Sequence, residues 1–179
     1  EEFYRFYRDK MLCLDAKPNI THFKLTEFER SGKLKAIVTQ NIDGLHQRAG
    51  SKIVYELHGS ILRNYCMKCH KFYDAEYIRQ SKEIPHCKCG GIIKPDVVLY
   101  QEGLDDNTVE KSVQAITDAD LLIVGGTSLN VYPAAGLIQY RKRTCKLVLI
   151  NKTETSADIY CDLVIHDSLG KIFAETEIN

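Results

Sequence analysis

The sequence predicts an α/β fold in which helices cover both faces of a mainly parallel, doubly wound sheet. Three observations carry this. Short, branched, nearly unbroken apolar runs recur at Ala36-Ile37-Val38, Leu121–Val124, Leu147–Ile150 and Leu163–Ile165; such runs suit strands buried on both faces. Stretches of helical pattern separate them, and strand–helix alternation implies a layered α/β domain. Three of the runs end in polar or glycine-rich turns: Gln40-Asn41-Ile42-Asp43, Gly125-Gly126-Thr127-Ser128 and Asn151-Lys152. In open α/β sheets ligands bind beyond the carboxyl ends of the strands, so these turns are expected to line one crevice.

The elements follow in order. Phe3, Phe6 and Tyr7 have i, i+3, i+4 spacing and predict an opening helix. The chain starts inside this aromatic, charged segment without an initiator Met, and a natural start upstream is expected. A second helix follows Pro18-Asn19, with Ile20/Phe23 and Leu25/Phe28 as i, i+3 neighbours and Gly32 as its stop. Ala36–Thr39 reads as a strand, and further helices are expected at about 107–117 and 133–141. The segment from about Tyr65 to Ile93 breaks the alternation and reads as an inserted module.

Composition limits the function classes. With 44% hydrophobic and 27% charged residues and a formal net charge of +0, nothing favours a partner held by general electrostatics, so direct nucleic-acid binding is not expected. No run of eighteen apolar residues occurs, so no membrane span is expected, and these residues show no signal-peptide pattern. Seven cysteines, four of them in two tight pairs, fit a reducing compartment with a metal site better than a disulfide framework. The expected location is the cytoplasm. Cys13, Cys145 and Cys161 read as small apolar residues in or near a core.

The chemistry-bearing residues cluster. Asn41 and Asp43 leave the first strand, and His58 follows fifteen residues after Asp43 in Glu56-Leu57-His58-Gly59. A lone histidine is more often structural, but an amide, a carboxylate and an imidazole at a strand mouth suit proton transfer from a hydroxyl. No Ser or Cys lies in a nucleophile motif. Cys66-x2-Cys69, seventeen intervening residues, then Cys87-x-Cys89 supplies four thiolates for one tetrahedral Zn2+. A closed set of four cysteine ligands leaves no open position, so the metal is structural. Gly90-Gly91 suits a knuckle, and His70 or His86 stand by as alternative ligands. The Gly125–Ser128 turn suits a phosphate or ribose, though it lacks the G-x-G-x-x-G fingerprint and equally fits an ordinary strand-to-helix turn. Asn151 suits a ribose hydroxyl or a plain turn.

Taken together, Thr39-Gln40-Asn41-Ile42-Asp43-Gly44-Leu45-His46, Ala49-Gly50, Glu56–Ser60, the cysteine tetrad, Lys94–Val98, Gly126–Leu129 and Leu149-Ile150-Asn151 resemble the sirtuin family along essentially the whole chain, in the style of its bacterial members. The resemblance implies a Rossmann-like domain with a small zinc-binding insert. The domain would occupy residues 1–64 and 94–179, with a helical part of the small domain near 1–30, and the zinc module 65–93. It also implies removal of acetyl groups from protein lysines at the expense of NAD, releasing nicotinamide and O-acyl-ADP-ribose.

By that resemblance His58 is the general base, and Asn41 and Asp43 orient the ribose and nicotinamide. Gln40 and Ile42 also face the dinucleotide. Gly126, Thr127, Ser128 and Asn151 hold the adenosine half, and Ser168 approaches the adenine. An acetylated peptide adds as a strand beside Val97, Val98, Leu99 and Tyr100 and beside Asn130, Val131 and Tyr132, with Val98, Tyr100 and Val131 lining the lysine tunnel. A monomer is expected.

Two departures stand out. Leu99-Tyr100-Gln101-Glu102 replaces a Phe-Gly-Glu-like stretch, which puts Gln where glycine's backbone freedom is usual. The family's Gly-Ala-Gly turn and flexible cofactor loop are absent from these residues, and without them the 179-residue polypeptide is expected to be inactive. Two other readings share the scaffold: protein mono-ADP-ribosyl transfer, and a non-catalytic zinc-ribbon interaction module.

Overall fold

The computed structural model describes residues 1–177. The helices are α1 (Glu2–Phe6), which relaxes into a π-turn over Tyr7–Met11, α2 (Ile20–Arg30), α3 (Leu45–Ala49), α4 (Ala75–Gln80), α5 (Asp106–Asp118) and α6 (Leu169–Glu175). Short 3-10 helices span Ala134–Tyr140 and Asp158–Tyr160. The strands are β1 (Ile37–Thr39), β2 (Val54–Glu56), β3 (Gly59–Cys66), β4 (Phe72–Tyr73), β5 (Ile93–Val97), β6 (Leu121–Gly125), β7 (Lys146–Ile150) and β8 (Leu163–Ile165). The chain groups into two compact units. The first comprises Glu1–Lys17, Gln40–Leu45 and His58–Leu104; the second comprises Pro18–Thr39, His46–Leu57 and Asp105–Asn179.

In the first unit β3 pairs antiparallel with β4 on one side and β5 on the other. Its core gathers Tyr7, Leu12, Ile61, Cys66, Ala75, Ile78, Cys87, Ile93 and Val97. The opening helix forms as expected, but its inward residues are Tyr4 and Tyr7, while Phe6 is exposed. Polar tips explain the choice of Tyr4, whose hydroxyl donates to the Ile93 carbonyl at 2.9 Å. Tyr7 is fully buried with no hydrogen-bond partner for its hydroxyl among the described residues, so packing of the ring carries it inside.

In the second unit β6, β7 and β8 form a parallel sheet in that order, and β1 pairs parallel with β2 in a separate two-stranded sheet. The parallel α/β character is as expected, but burial on both faces holds only for the central β7. Leu121 and Ile123 of β6, which share one face of that strand, and Leu163 of β8 are exposed. Helix α2 starts with a reciprocal cap: Asn19 Oδ1 accepts the His22 N–H, and His22 Nδ1 accepts the Asn19 N–H. Its buried positions are His22 and Thr26, with Ile20 and Phe23 exposed. Thr26 and Ser51 share a buried hydroxyl–hydroxyl bond of 3.0 Å, so polar pairing fixes this face. Gly32 closes the helix at φ +74°. Phe28 of α2 meets Phe173 of α6 with ring centroids 5.9 Å apart. The helix expected at 107–117 is α5, capped by Asp105; that expected at 133–141 is the 3-10 segment.

Candidate active site and metal centre

The histidine turn follows β2 in the chain, and β1 and β2 pair in parallel. Thr39 lies opposite Glu56, and Leu57 N–H donates to the Thr39 carbonyl at 2.9 Å. Gln40 and His58 belong to the first unit. His58 Nδ1 lies 3.1 Å from the Gln40 carbonyl oxygen. A carbonyl only accepts, so Nδ1 carries the proton and donates; in the neutral ring Nε2 keeps its lone pair. The backbone bond thus fixes the tautomer that can take up a proton. Asn41 is exposed, while Gln40, Ile42, Asp43 and His58 are half-buried. Asp43 Oδ1 accepts the Leu45 N–H at 2.9 Å and so organises the entry to α3. Ile42 packs on the first unit's core, and its carbonyl accepts the Ile61 N–H at 2.9 Å.

Glycine is obligatory behind the histidine. Gly59 has φ +75°, and a Cβ there would overlap the Asp96 carbonyl oxygen and approach Val97 Cα to 3.4 Å. Strand β5 is therefore laid directly on the histidine turn, and Val98 N–H donates to the His58 carbonyl at 3.1 Å. Val97 is buried in the core, and its carbonyl accepts Lys94 Nζ at 3.3 Å. Val98 and Leu99 are half-buried, and Tyr100 is fully exposed. The turn beyond is clamped by Glu102, whose carboxylate accepts the Leu99 N–H at 2.9 Å and Lys94 Nζ at 3.0 Å. The Leu99 N–H and the Lys94 ammonium hold that carboxyl below the usual range. Gln101 adopts φ +72°, the left-handed conformation that its replacement of glycine makes costly.

Cys66, Cys69, Cys87 and Cys89 converge, with all four Sγ atoms within 4.8 Å of one another. Three separations are 3.4 Å (Cys69–Cys89), 3.5 Å (Cys66–Cys89) and 3.6 Å (Cys69–Cys87). Thiolates about 2.3 Å from a tetrahedral zinc stand about 3.8 Å apart. The donor set therefore fits one Zn2+ and no open position. The Cys89 N–H and the Tyr73 hydroxyl draw Cys87 down to about 6. The Lys71 N–H pulls on Cys69, but the thiols of Cys89, Cys66 and Cys87 push it up to about 12. Four clustered thiols do not all ionise unaided; a divalent cation is what such a set needs.

Both knuckles have backbone reasons. His70 sits at φ +57° and donates its N–H to the Cys66 carbonyl, and Gly90 at φ +81° donates to that of Cys87. At Gly91 a Cβ would lie 2.6 Å from Cys66 Sγ. His70 thus serves as a turn residue, and His86 Nδ1 lies 3.4 Å from the Gly90 carbonyl; among the described residues the cluster holds cysteines only. Of the remaining cysteines Cys145 is buried as expected, but Cys13 is exposed, on the chain just past the buried Leu12.

In the second unit the ends of β6 and β7 meet: Gly126 N–H donates to the Ile150 carbonyl at 3.1 Å. Gly126 has φ +65°, and a Cβ on Gly125 would lie 2.6 Å from Leu169 Cδ2. The glycines thus let α6 pack close and leave a thin, exposed turn. Thr127 Oγ1 accepts the Leu129 N–H at 3.2 Å, Ser128 is exposed, and Asn130 and Val131 follow on the exposed approach to the 3-10 helix. Asn151 Nδ2 donates to the Thr153 carbonyl at 2.9 Å, and Ser168 is the residue at the start of α6.

The sequence alone assigns no role to Gly59, Arg63 or Asp96. The signal for Gly59 is its place directly after the histidine. None announces the Arg63–Asp96 pair, which forms across strands 33 residues apart in the chain.

The model of the Sir2 family matches residues 1–133. The chain is 66% identical over 174 residues to an NAD-dependent protein deacetylase of Clostridium acetobutylicum, covering 96% of this chain and 71% of that protein. It is 61% identical over 176 residues to the NAD-dependent protein deacetylase of Clostridium perfringens, covering 98% and 72%. Among solved structures, a Sir2–p53 peptide–NAD+ complex superposes with a TM-score of 0.89 at 38% identity, covering 97% of this chain and 75% of that one. A Sir2 complex with the inhibitor EX-527, 2'-O-acetyl-ADP-ribose and deacetylated p53 peptide gives 0.90 at 40%, covering 97% and 76%. With a matching family model over most of its length, the histidine turn and the cysteine tetrad in place, and close relatives along almost the whole chain, this protein belongs to the Sir2 family.

Proposed function

We propose that this chain serves NAD-dependent removal of acetyl groups from protein lysine side chains, with release of nicotinamide and O-acyl-ADP-ribose. The observation that carries the reading is the His58 Nδ1–Gln40 carbonyl bond of 3.1 Å, which leaves Nε2 ready to accept a proton. NAD, when bound, supplies an activated ribose whose anomeric carbon exchanges nicotinamide for the acyl oxygen and whose hydroxyl finally receives the acyl group. His58 Nε2 takes the proton of that hydroxyl. Asn41 and Asp43 orient the ribose and the nicotinamide amide, and Gln40 and Ile42 line the same face.

Thr127, Ser128 and Asn151 offer hydroxyl and amide groups to the adenosine half, Gly126 admits it closely, and Ser168 contacts the adenine. The peptide is taken up as an added strand, since β5 has β3 on one side only. Val97, Val98, Leu99, Tyr100, Asn130 and Val131 line the path of that strand. One Zn2+ on Cys66, Cys69, Cys87 and Cys89 holds the first unit's cysteine knuckles together and takes no part in the reaction.

The partner is an acetylated protein. We also place the protein in the cytoplasm as a monomer without a nucleic-acid or membrane partner. Among the described residues no helix is long and apolar enough to cross a membrane, and all seven cysteines are unpaired. The test is His58→Ala in the full-length protein with NAD and an acetyl-lysine peptide, with products read by mass spectrometry. Loss of deacetylated peptide is expected. Wild-type protein that adds ADP-ribose to a side chain while the peptide keeps its acetyl group would instead select the transferase reading.

A further inference from the structure

Strand β3 carries an irregularity beside the histidine turn. Ser60 faces Asp96 of β5, yet the next pair is Asn64 with Pro95. Ile61, Leu62 and Arg63 thus bulge out opposite a single peptide unit. Bulges of this kind re-aim strands next to active sites. Each bulged residue is tied down. Ile61 N–H donates to the Ile42 carbonyl at 2.9 Å. Leu62 N–H donates to Ser60 Oγ at 3.2 Å, and its side chain occupies the space a Cβ on Gly44 would need. Arg63 Nε donates to Asp96 Oδ2 at 2.7 Å.

The anchors point to two different places. Ile61 and Leu62 grip the Gln40–Gly44 segment, which carries Asn41 and Asp43. Arg63 grips β5 one residue before Val97 and two before Val98, whose N–H meets the His58 carbonyl. The Gly59–Asp96 backbone contact lies between these grips.

We infer that Arg63 is a positioning residue: its bond to Asp96 latches the peptide-binding end of β5 to the bulge that also holds the Asn41–Asp43 segment. The inference rests on the deacetylase reading proposed above and adds a residue to it. Arg63 fixes the register at which a bound peptide strand meets the histidine turn. Both side chains of the pair are about two-fifths exposed, so the effect is bounded by what a solvated ion pair contributes. An unlatched β5 must be ordered by the incoming peptide, and the loss appears as weaker peptide capture, not as a failure of the chemical step.

The experiment is steady-state kinetics of the full-length protein as wild type, Arg63→Ala, Arg63→Lys, the exchange Arg63→Asp with Asp96→Arg, and His58→Ala. Arg63→Ala is expected to raise KM for the acetyl-lysine peptide about two- to fivefold, with kcat and KM for NAD unchanged. Lysine should restore part of the loss, because it keeps the charge without the guanidinium geometry. The exchanged pair should restore most of it. An unchanged peptide KM in Arg63→Ala, equal shifts in peptide and NAD KM, or an exchange no better than Arg63→Ala overturns the latch. If His58→Ala still deacetylates, the underlying reading fails; if it is inactive while Arg63→Ala behaves as wild type, only the latch fails.

Discussion

Replacing Gly59 by alanine separates two costs that this site combines. One is conformational: Gly59 has φ +75°, and a left-handed backbone costs an L-residue about 1–2 kcal/mol. The other is steric. The new Cβ overlaps the Asp96 carbonyl oxygen and comes within 2.9 Å of the Asp96 carbonyl carbon, atoms of a strand with no flexible side chain to yield. Strand β5 must shift away, and the Val98–His58 hydrogen bond and the neighbouring Gly59–Val97 pairing go with it. At about 0.5–1.5 kcal/mol per bond the total becomes about 2–5 kcal/mol.

Two other glycines calibrate the sum. Gly32 has φ +74° with nothing within 4 Å of its Cβ position, so Gly32→Ala should show the conformational part alone, about 1 kcal/mol. Gly103 is not held at positive φ and also faces open space, so Gly103→Ala should stay within about 0.5 kcal/mol of wild type. With no tryptophan in the chain, urea unfolding of the zinc-loaded protein is best followed by far-UV circular dichroism. The expected order of loss is Gly59, then Gly32, then Gly103. Equal effects at Gly59 and Gly32 would refute the claim that β5 is packed against the histidine turn.

The other predictions are of smaller reach. Gln101→Gly should stabilise the protein by about 0.5–1 kcal/mol in the same measurement, since it relieves a side chain held at φ +72°. Cys69→Ser should abolish stoichiometric zinc in metal analysis, and chelation of the wild type should expose the Tyr65–Ile93 segment to hydrogen exchange. Asp162 is held below the ordinary carboxylate range by Lys146 at 2.8 Å and by the Leu147 N–H at 2.9 Å. A depressed folded-state value means that its contribution is present above the unfolded value, about pH 4, and is lost as pH falls through the folded one. Asp162→Asn should therefore flatten the acid limb of a stability–pH profile below about pH 4 and leave the limb above about pH 7 in place.

What the sequence made legible follows from which forces act locally. The parallel strands, α2, α5 and the cysteine knuckles were readable, because unbroken apolar runs, a Pro-Asn helix start and paired cysteines each signal within a few residues. The tautomer of His58 was not, since it depends on the Gln40 carbonyl, 18 residues away in the chain. Exposure of Leu121, Ile123 and Leu163 was likewise hidden: an apolar run does not say which faces of its strand are covered. The inward turn of Tyr4 was hidden too, since the Ile93 carbonyl that accepts its hydroxyl lies 89 residues away in the chain. The Arg63–Asp96 pair and the bulge behind it depend on cross-strand register, which no spacing in the chain encodes. At Gln101 the sequence shows a residue where glycine is usual, and the left-handed backbone there is visible only in the structure.

The most direct test of the central claim is product balance in single turnover of the full-length protein with NAD and an acetyl-lysine peptide, for wild type and His58→Ala. The account predicts one nicotinamide and one O-acyl-ADP-ribose for each lysine freed in the wild type. In His58→Ala it predicts nicotinamide release without completed acyl transfer. Free lysine formed at the wild-type rate by His58→Ala would contradict it.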